Sequence, residues 1–197
     1  NHVSNGSDYQ YKLTYIMTQH NKLGTILGDY MNTEMMPFIV KDLEQKNIPT
    51  TPYVNAFEET PDNGFVQFSD TPRYTTGYTS LFNTIGFVVE THMLKKYADR
   101  VKATYEYMIS TIDFTDLNYK KLKELRAKNE EQYKPKKSYP IEWKIDSSKA
   151  TTFLFSGFEA SYKKSEVTTG QRLFYDRTKP YQKNIPYIKE YKSVKEV

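Results

Sequence analysis

Cysteine is absent from the 197-residue chain, which excludes disulfide scaffolds and thiolate metal sites and is compatible with either an exported or a cytoplasmic protein. Histidine is nearly as scarce, with only His2, His20 and His92. No HExxH, Gly-rich phosphate loop, CxxC or GxSxG sequence occurs, which removes several common enzyme classes. No apolar run approaches the roughly 18 residues that cross a bilayer. Charge of one sign is also missing: 28 basic residues face 24 acidic ones for a net +4, and the lysines are scattered among glutamates, so nothing argues for a nucleic-acid partner. There is no internal repeat and no low-complexity tract. The chain opens abruptly on Asn1-His2-Val3-Ser4-Asn5-Gly6 with neither an initiator Met nor a signal peptide, and reads as the interior of a longer polypeptide.

Aromatic side chains are abundant. With 38% apolar residues, the 18 Tyr and 11 Phe supply much of the surface a core can bury. After the Asn5-Gly6 turn, the β-rich stretch over Tyr9–Met17 predicts a strand. Leu23, Ile26, Leu27, Tyr30 and Met31 follow helical spacing. Pro37 is expected to kink or split that helix, with a second piece over Phe38–Gln45. His20, in a polar Thr-Gln-His-Asn run, reads as a loop residue. From Thr50 to Pro72 the chain is rich in Pro, Asn, Asp and Thr, with short strands expected at Tyr53-Val54 and Phe65–Phe68; long irregular stretches of this kind are often functional.

The stretch Thr71–Lys95 organises the rest. It runs from a Tyr/Thr/Gly-rich segment through the short apolar strand Gly86–Val89 to Glu90-Thr91-His92. Glu90 and His92 are two residues apart and so share a face, at the end of a strand, where open α/β sheets carry their ligands. A carboxylate there is a candidate general base; the plainer alternative is a cap on the following helix. His92 alone reads as a packing or hydrogen-bonding residue. Two helices follow, about Leu94–Ile112 and Asp116–Tyr133, the second with a charged, solvated face. Lys134–Pro140 reads as a linker, and the remainder as a β-rich tail broken by Gly and Pro.

The run from Asn1 to Tyr11, together with Pro72–Tyr78 and Val89-Glu90-Thr91-His92, resembles the second half of a zinc metallocarboxypeptidase of the carboxypeptidase A-like family, in the bacterial branch with a β-rich extension. The likeness covers about Asn1–Ile112 and, more weakly, the tail. It implies an α/β fold with a mixed central sheet flanked by helices over residues 1–137 and a β-rich extension over 138–197. It further implies a peptide substrate, export, and zinc held by a His-x-x-Glu pair plus a distant histidine. Residue by residue, His2 resembles the distant zinc ligand and Glu90 the catalytic glutamate. Tyr74 or Tyr78 resembles the mobile substrate tyrosine, and Arg73 is a candidate for the substrate carboxylate, with a structural ion pair as its alternative. The departure from the family pattern is as informative: HVSN, HNKL and HMLK follow the three histidines, and none is His-x-x-Glu. The chain alone is therefore expected neither to hold zinc tightly nor to hydrolyse peptides, since catalytic zinc takes three protein ligands.

Two other readings stand beside this one. His2, Glu90 and His92 form a two-histidine, one-carboxylate metal set in the first. In the second, a tyrosine-rich tail serves as a non-catalytic carbohydrate- or protein-binding module. An incomplete sheet with exposed apolar surface also leads to the expectation of a homo-oligomer.

Overall fold

The computed structural model of the protein describes residues 2–4, 6–57 and 59–197, the first three in their backbone alone. A mixed four-stranded sheet is its organising layer. The strands are β1 (His2–Ser4), β2 (Leu13–Met17), β3 (Thr50–Pro52) and β5 (Phe87–His92), in the spatial order β1-β5-β2-β3. β5 runs parallel to β1 and antiparallel to β2, and β2 runs parallel to β3. The β-branched pair Val88-Val89 suits a pleated, half-buried surface. The strand continues through Glu90, Thr91 and His92, each nearly sealed from solvent. The expected strand over Tyr9–Met17 begins only at Leu13; Tyr9 instead makes an isolated bridge to Gly157 in the tail.

Helices α1 (His20–Leu23), α2 (Leu27–Tyr30) and α3 (Met36–Gln45) follow β2. The expected break at Pro37 is realised as a π-helical turn over Met31–Met35, in which the Met36 N–H reaches back to the Met31 carbonyl. Pro37 then sits in the first turn of α3, where its missing N–H costs nothing. One helix, α5 (Tyr97–Glu131, 35 residues), replaces the two expected after His92. No Gly or Pro interrupts it, and buried Ala103, Tyr107, Ser110 and Phe114 carry one core-facing stripe past the expected break. Leu13, Met17, Leu27, Met31, Ile39, Tyr107 and Phe114 form the core between sheet and helices.

The tail consists of β6 (Pro140–Ile145), β7 (Thr151–Lys164), β8 (Gln171–Ile188) and β9 (Tyr191–Glu196). The tail, expected to be broken at its prolines, runs through Pro180 as the single strand β8, because the Pro180 region is absorbed where the β7–β8 register shifts at Phe158/Glu159. Short β4 (Phe65–Val66) adds in parallel to β8. A second core joins tail to body: Phe155, Ile185 and Tyr187 pack with Tyr9, Tyr11 and Phe65, with Phe65 edge-on to Tyr187 at 5.4 Å. The 19–21 turn clasps the end of β8. Gln19 donates to the Lys189 carbonyl at 2.8 Å, and Asn21 accepts from the Tyr191 N–H at 2.8 Å. No helix among the described residues is long and apolar enough to cross a membrane.

Candidate functional site

β5 sets the site through its register. His2 is the Cα partner of Glu90 on the neighbouring parallel strand, Val3 of Thr91 and Ser4 of His92; neighbouring strands lie about 4.8 Å apart. The His2 side chain lies outside the described residues. On the other flank Thr14 pairs with Glu90, and its hydroxyl donates to the Glu90 carbonyl oxygen at 3.4 Å. Glu90 is buried within the strand and does not cap a helix, so that alternative falls away. The Glu90 charge is felt at Tyr53: burial first, and then that negative charge, pushes the Tyr53 phenol up to about 12.

His92 has a different surrounding. Its Nδ1 accepts from the Leu94 N–H at 3.2 Å. Nε2 lies 3.0 Å from Asp8 Oδ1, although the ring N–H does not point straight along that line. Tyr9 packs edge-on to the ring at 4.5 Å between centroids. Arg177, from the tail, reaches the other Asp8 oxygen at 2.6 Å. Burial alone would raise the Asp8 carboxyl, but contacts from His92 and Arg177 outweigh it and hold it below its ordinary value. Lys95 donates to the Tyr9 carbonyl at 2.8 Å beside this cluster. His92 is therefore a buried brace between β5, the 7–9 segment and the tail.

His20 is no loop residue. It opens α1, is buried, and its Nε2 stands 3.1 Å from both Glu190 carboxylate oxygens. Burial lowers its pKa more than the Glu190 charge raises it, so the neutral ring donates from Nε2 to a carboxylate that stays ionised. Nearby, Lys22 pairs with the fully buried Asp70 at 2.9 Å.

The remaining candidates lie on the segment before β5. Helix α4 (Thr75–Ser80) follows Tyr74, and Gly77 is packed so closely on the Thr71 carbonyl that a Cβ would overlap it. Tyr74 and Tyr78 are both exposed. Tyr74 meets the Phe68 ring edge-on at 4.8 Å, and Phe68 meets Tyr53 edge-on at 6.1 Å. An aromatic series thus runs from Tyr53, beside Glu90, to Tyr74. Tyr78 stands outside it, tilted against Phe82 at 5.0 Å. Arg73 is exposed, and among the described residues it makes no ion pair, so the structural alternative for it is not met.

A cleft of about 640 Å³ opens between β2–β3, α3 and the tail, lined by Tyr15, Tyr53, Phe68, Phe153, Tyr187 and Gln67 among others. Glu90 does not line it; Tyr53 does. Zinc needs three protein ligands and an open position. Among the described residues no three His, Cys, Asp or Glu side chains gather closely enough to hold a metal ion. His20 Nε2 is taken up by the Glu190 carboxylate, and His92 Nε2 faces Asp8 Oδ1 at 3.0 Å. Sequence reasoning did not find Asp8, Arg177, Glu190 or Tyr53. The first three meet their partners across about 170 residues of chain, and Tyr53 reads only as part of a short strand in a polar stretch. Comparison of the chain with protein-family models, curated proteins and solved structures gives no match.

Proposed function

We propose that the chain forms the Glu90 side of a zinc-dependent carboxypeptidase-like centre, as the C-terminal part of an α/β catalytic domain carrying a β-rich extension. The observation that carries this reading is the register of β1 on β5, which sets the backbone of His2 beside that of Glu90, the two residues that resemble the family's distant zinc ligand and catalytic glutamate. In this reading the other zinc ligands come from elsewhere in the polypeptide. Zinc, when bound, supplies an activated water and a polarised carbonyl.

The chain's own contribution is proton transfer and positioning. The Glu90 carboxylate accepts a proton from water and returns it to the leaving amine. Tyr74 is favoured over Tyr78 as the substrate hydrogen-bond donor, because the aromatic series joins it to the Glu90 neighbourhood. Arg73, exposed and without an ion pair among the described residues, is the candidate for the substrate carboxylate in this reading. Two competing readings meet different surroundings. In a facial set that includes His92, Nδ1 is already taken by the Leu94 N–H, and Nε2 faces the Asp8 carboxylate rather than an open position. For an aromatic platform on the tail, Tyr187 and Tyr191 are buried in the core while Tyr139 and Tyr162 are exposed.

Zinc titration of the chain by calorimetry, with metal content read after dialysis, tests the division of ligands. Weak, substoichiometric zinc is expected. Tight one-to-one zinc in the bare chain contradicts it.

A further inference from the structure

Helix α5 is apolar on two sides. One stripe, through Ala103, Tyr107 and Phe114, faces the core. On the opposite side Val101 is 49% exposed, Tyr105 59%, Met108 56% and Ile112 57%, and Thr115 and Tyr119 continue the line. A surface helix needs only the first stripe. The outward one alternates steps of four and three residues from Val101 to Tyr119, and an apolar repeat of that period faces another helix, with knobs set into holes. None of the described residues covers it.

We propose that this stripe pairs with the same stripe of a second copy of the chain, antiparallel, about a twofold axis level with Ser110. In that register Val101 lies opposite Tyr119 of the second copy, Tyr105 opposite Thr115, and Met108 opposite Ile112. Each large ring then meets a smaller side chain. Charge complementarity selects the same arrangement. Lys102 and Asp116 flank the seam on one side, and the antiparallel register brings Lys102 of each copy to Asp116 of the other, twice by symmetry. Between those two pairs, Ile109 meets its own counterpart. A parallel pair would instead stack Tyr105 on Tyr105 and Tyr119 on Tyr119, and would leave Lys102 beside Tyr97 with no acid opposite. The helix is 35 residues, about 50 Å at about 1.5 Å per residue, so the seam has ample length. This pairing is independent of the hydrolytic reading.

Sedimentation equilibrium of the whole chain is expected to show a monomer–dimer equilibrium in the micromolar range. Ile112→Lys, at an exposed position, is expected to give a monomer with an unchanged circular dichroism spectrum. Lys102→Asp should weaken the dimer about tenfold, and adding Asp116→Lys should restore it. Because the chain has no cysteine, Ile109→Cys reports on itself alone: mild oxidation should join the two copies, while Lys102→Cys should not. A chain that stays monomeric, including one whose stripe a different polypeptide segment covers, overturns the proposal. So does a dimer that survives Ile112→Lys, and a dimer that neither the charge exchange nor the position-109 cross-link affects.

Discussion

Glu90 is the register partner of His2 across two parallel strands, and Glu90 itself is buried. Two residues further along β5, His92 is held between the Leu94 N–H and Asp8. The polar residues of the strand therefore have separate roles, with one carboxylate beside the β1 edge of the sheet and one imidazole committed to structure.

That commitment has a measurable consequence. Asp8→Asn removes the carboxylate that His92 and Arg177 share. Breaking a buried pair costs about 3–5 kcal/mol, and since Arg177 is half exposed its share is screened. A loss of about 2–3 kcal/mol is expected from the urea midpoint at constant slope. An unchanged midpoint would remove His92 from its bracing role.

Stability should fall with acid in two windows. The folded pKa of His20 lies below its ordinary 6.5 because the ring is buried. The unfolded chain then takes up the proton first, so stability is complete above about 6.5 and is lost as pH falls below it. Asp8 lies below its ordinary 3.8; its contribution is present above that value and disappears as pH falls through the folded one. Urea midpoints at about pH 7.5 and about pH 5 isolate the first window. The wild-type midpoint should drop between them, and His20→Gln should flatten that drop. A wild-type midpoint equal at both values contradicts the assignment.

Tyr53 offers a direct view of the Glu90 charge. Its phenol is pushed up to about 12 by burial and by Glu90. In a protein carrying ring-labelled tyrosine, the Tyr53 carbon resonance should titrate near that value. Glu90→Gln should lower it and leave the part caused by burial. A Tyr53 titration indifferent to Glu90 would separate the two residues.

Local features of the fold are legible in the sequence. The apolar, β-branched run before Glu90 marks β5, and Pro37 marks the disturbance ahead of α3. Helix α5 reads as two helices because its second half is highly charged; charge density says where solvent is, whereas only Gly, Pro or lost periodicity ends a helix. β8 reads as divided at Pro180 because a proline breaks a regular ladder, but a register shift accommodates it. The partners of Asp8, His20 and Asp70 are not legible. Each is fixed by how distant segments pack, and no local spacing encodes that. Glu90 can be read from its position at the end of β5, whereas Tyr53 beside it depends on where β3 falls in the sheet.

Glu90 as a base is the central claim. The direct measurement is peptide hydrolysis by Glu90→Gln in a polypeptide that carries a His-x-x-Glu segment together with this chain, with zinc content measured alongside. Zinc should remain stoichiometric while kcat falls by about 10² to 10⁴, the usual contribution of a positioned general base. Undiminished turnover with zinc bound would contradict the assignment.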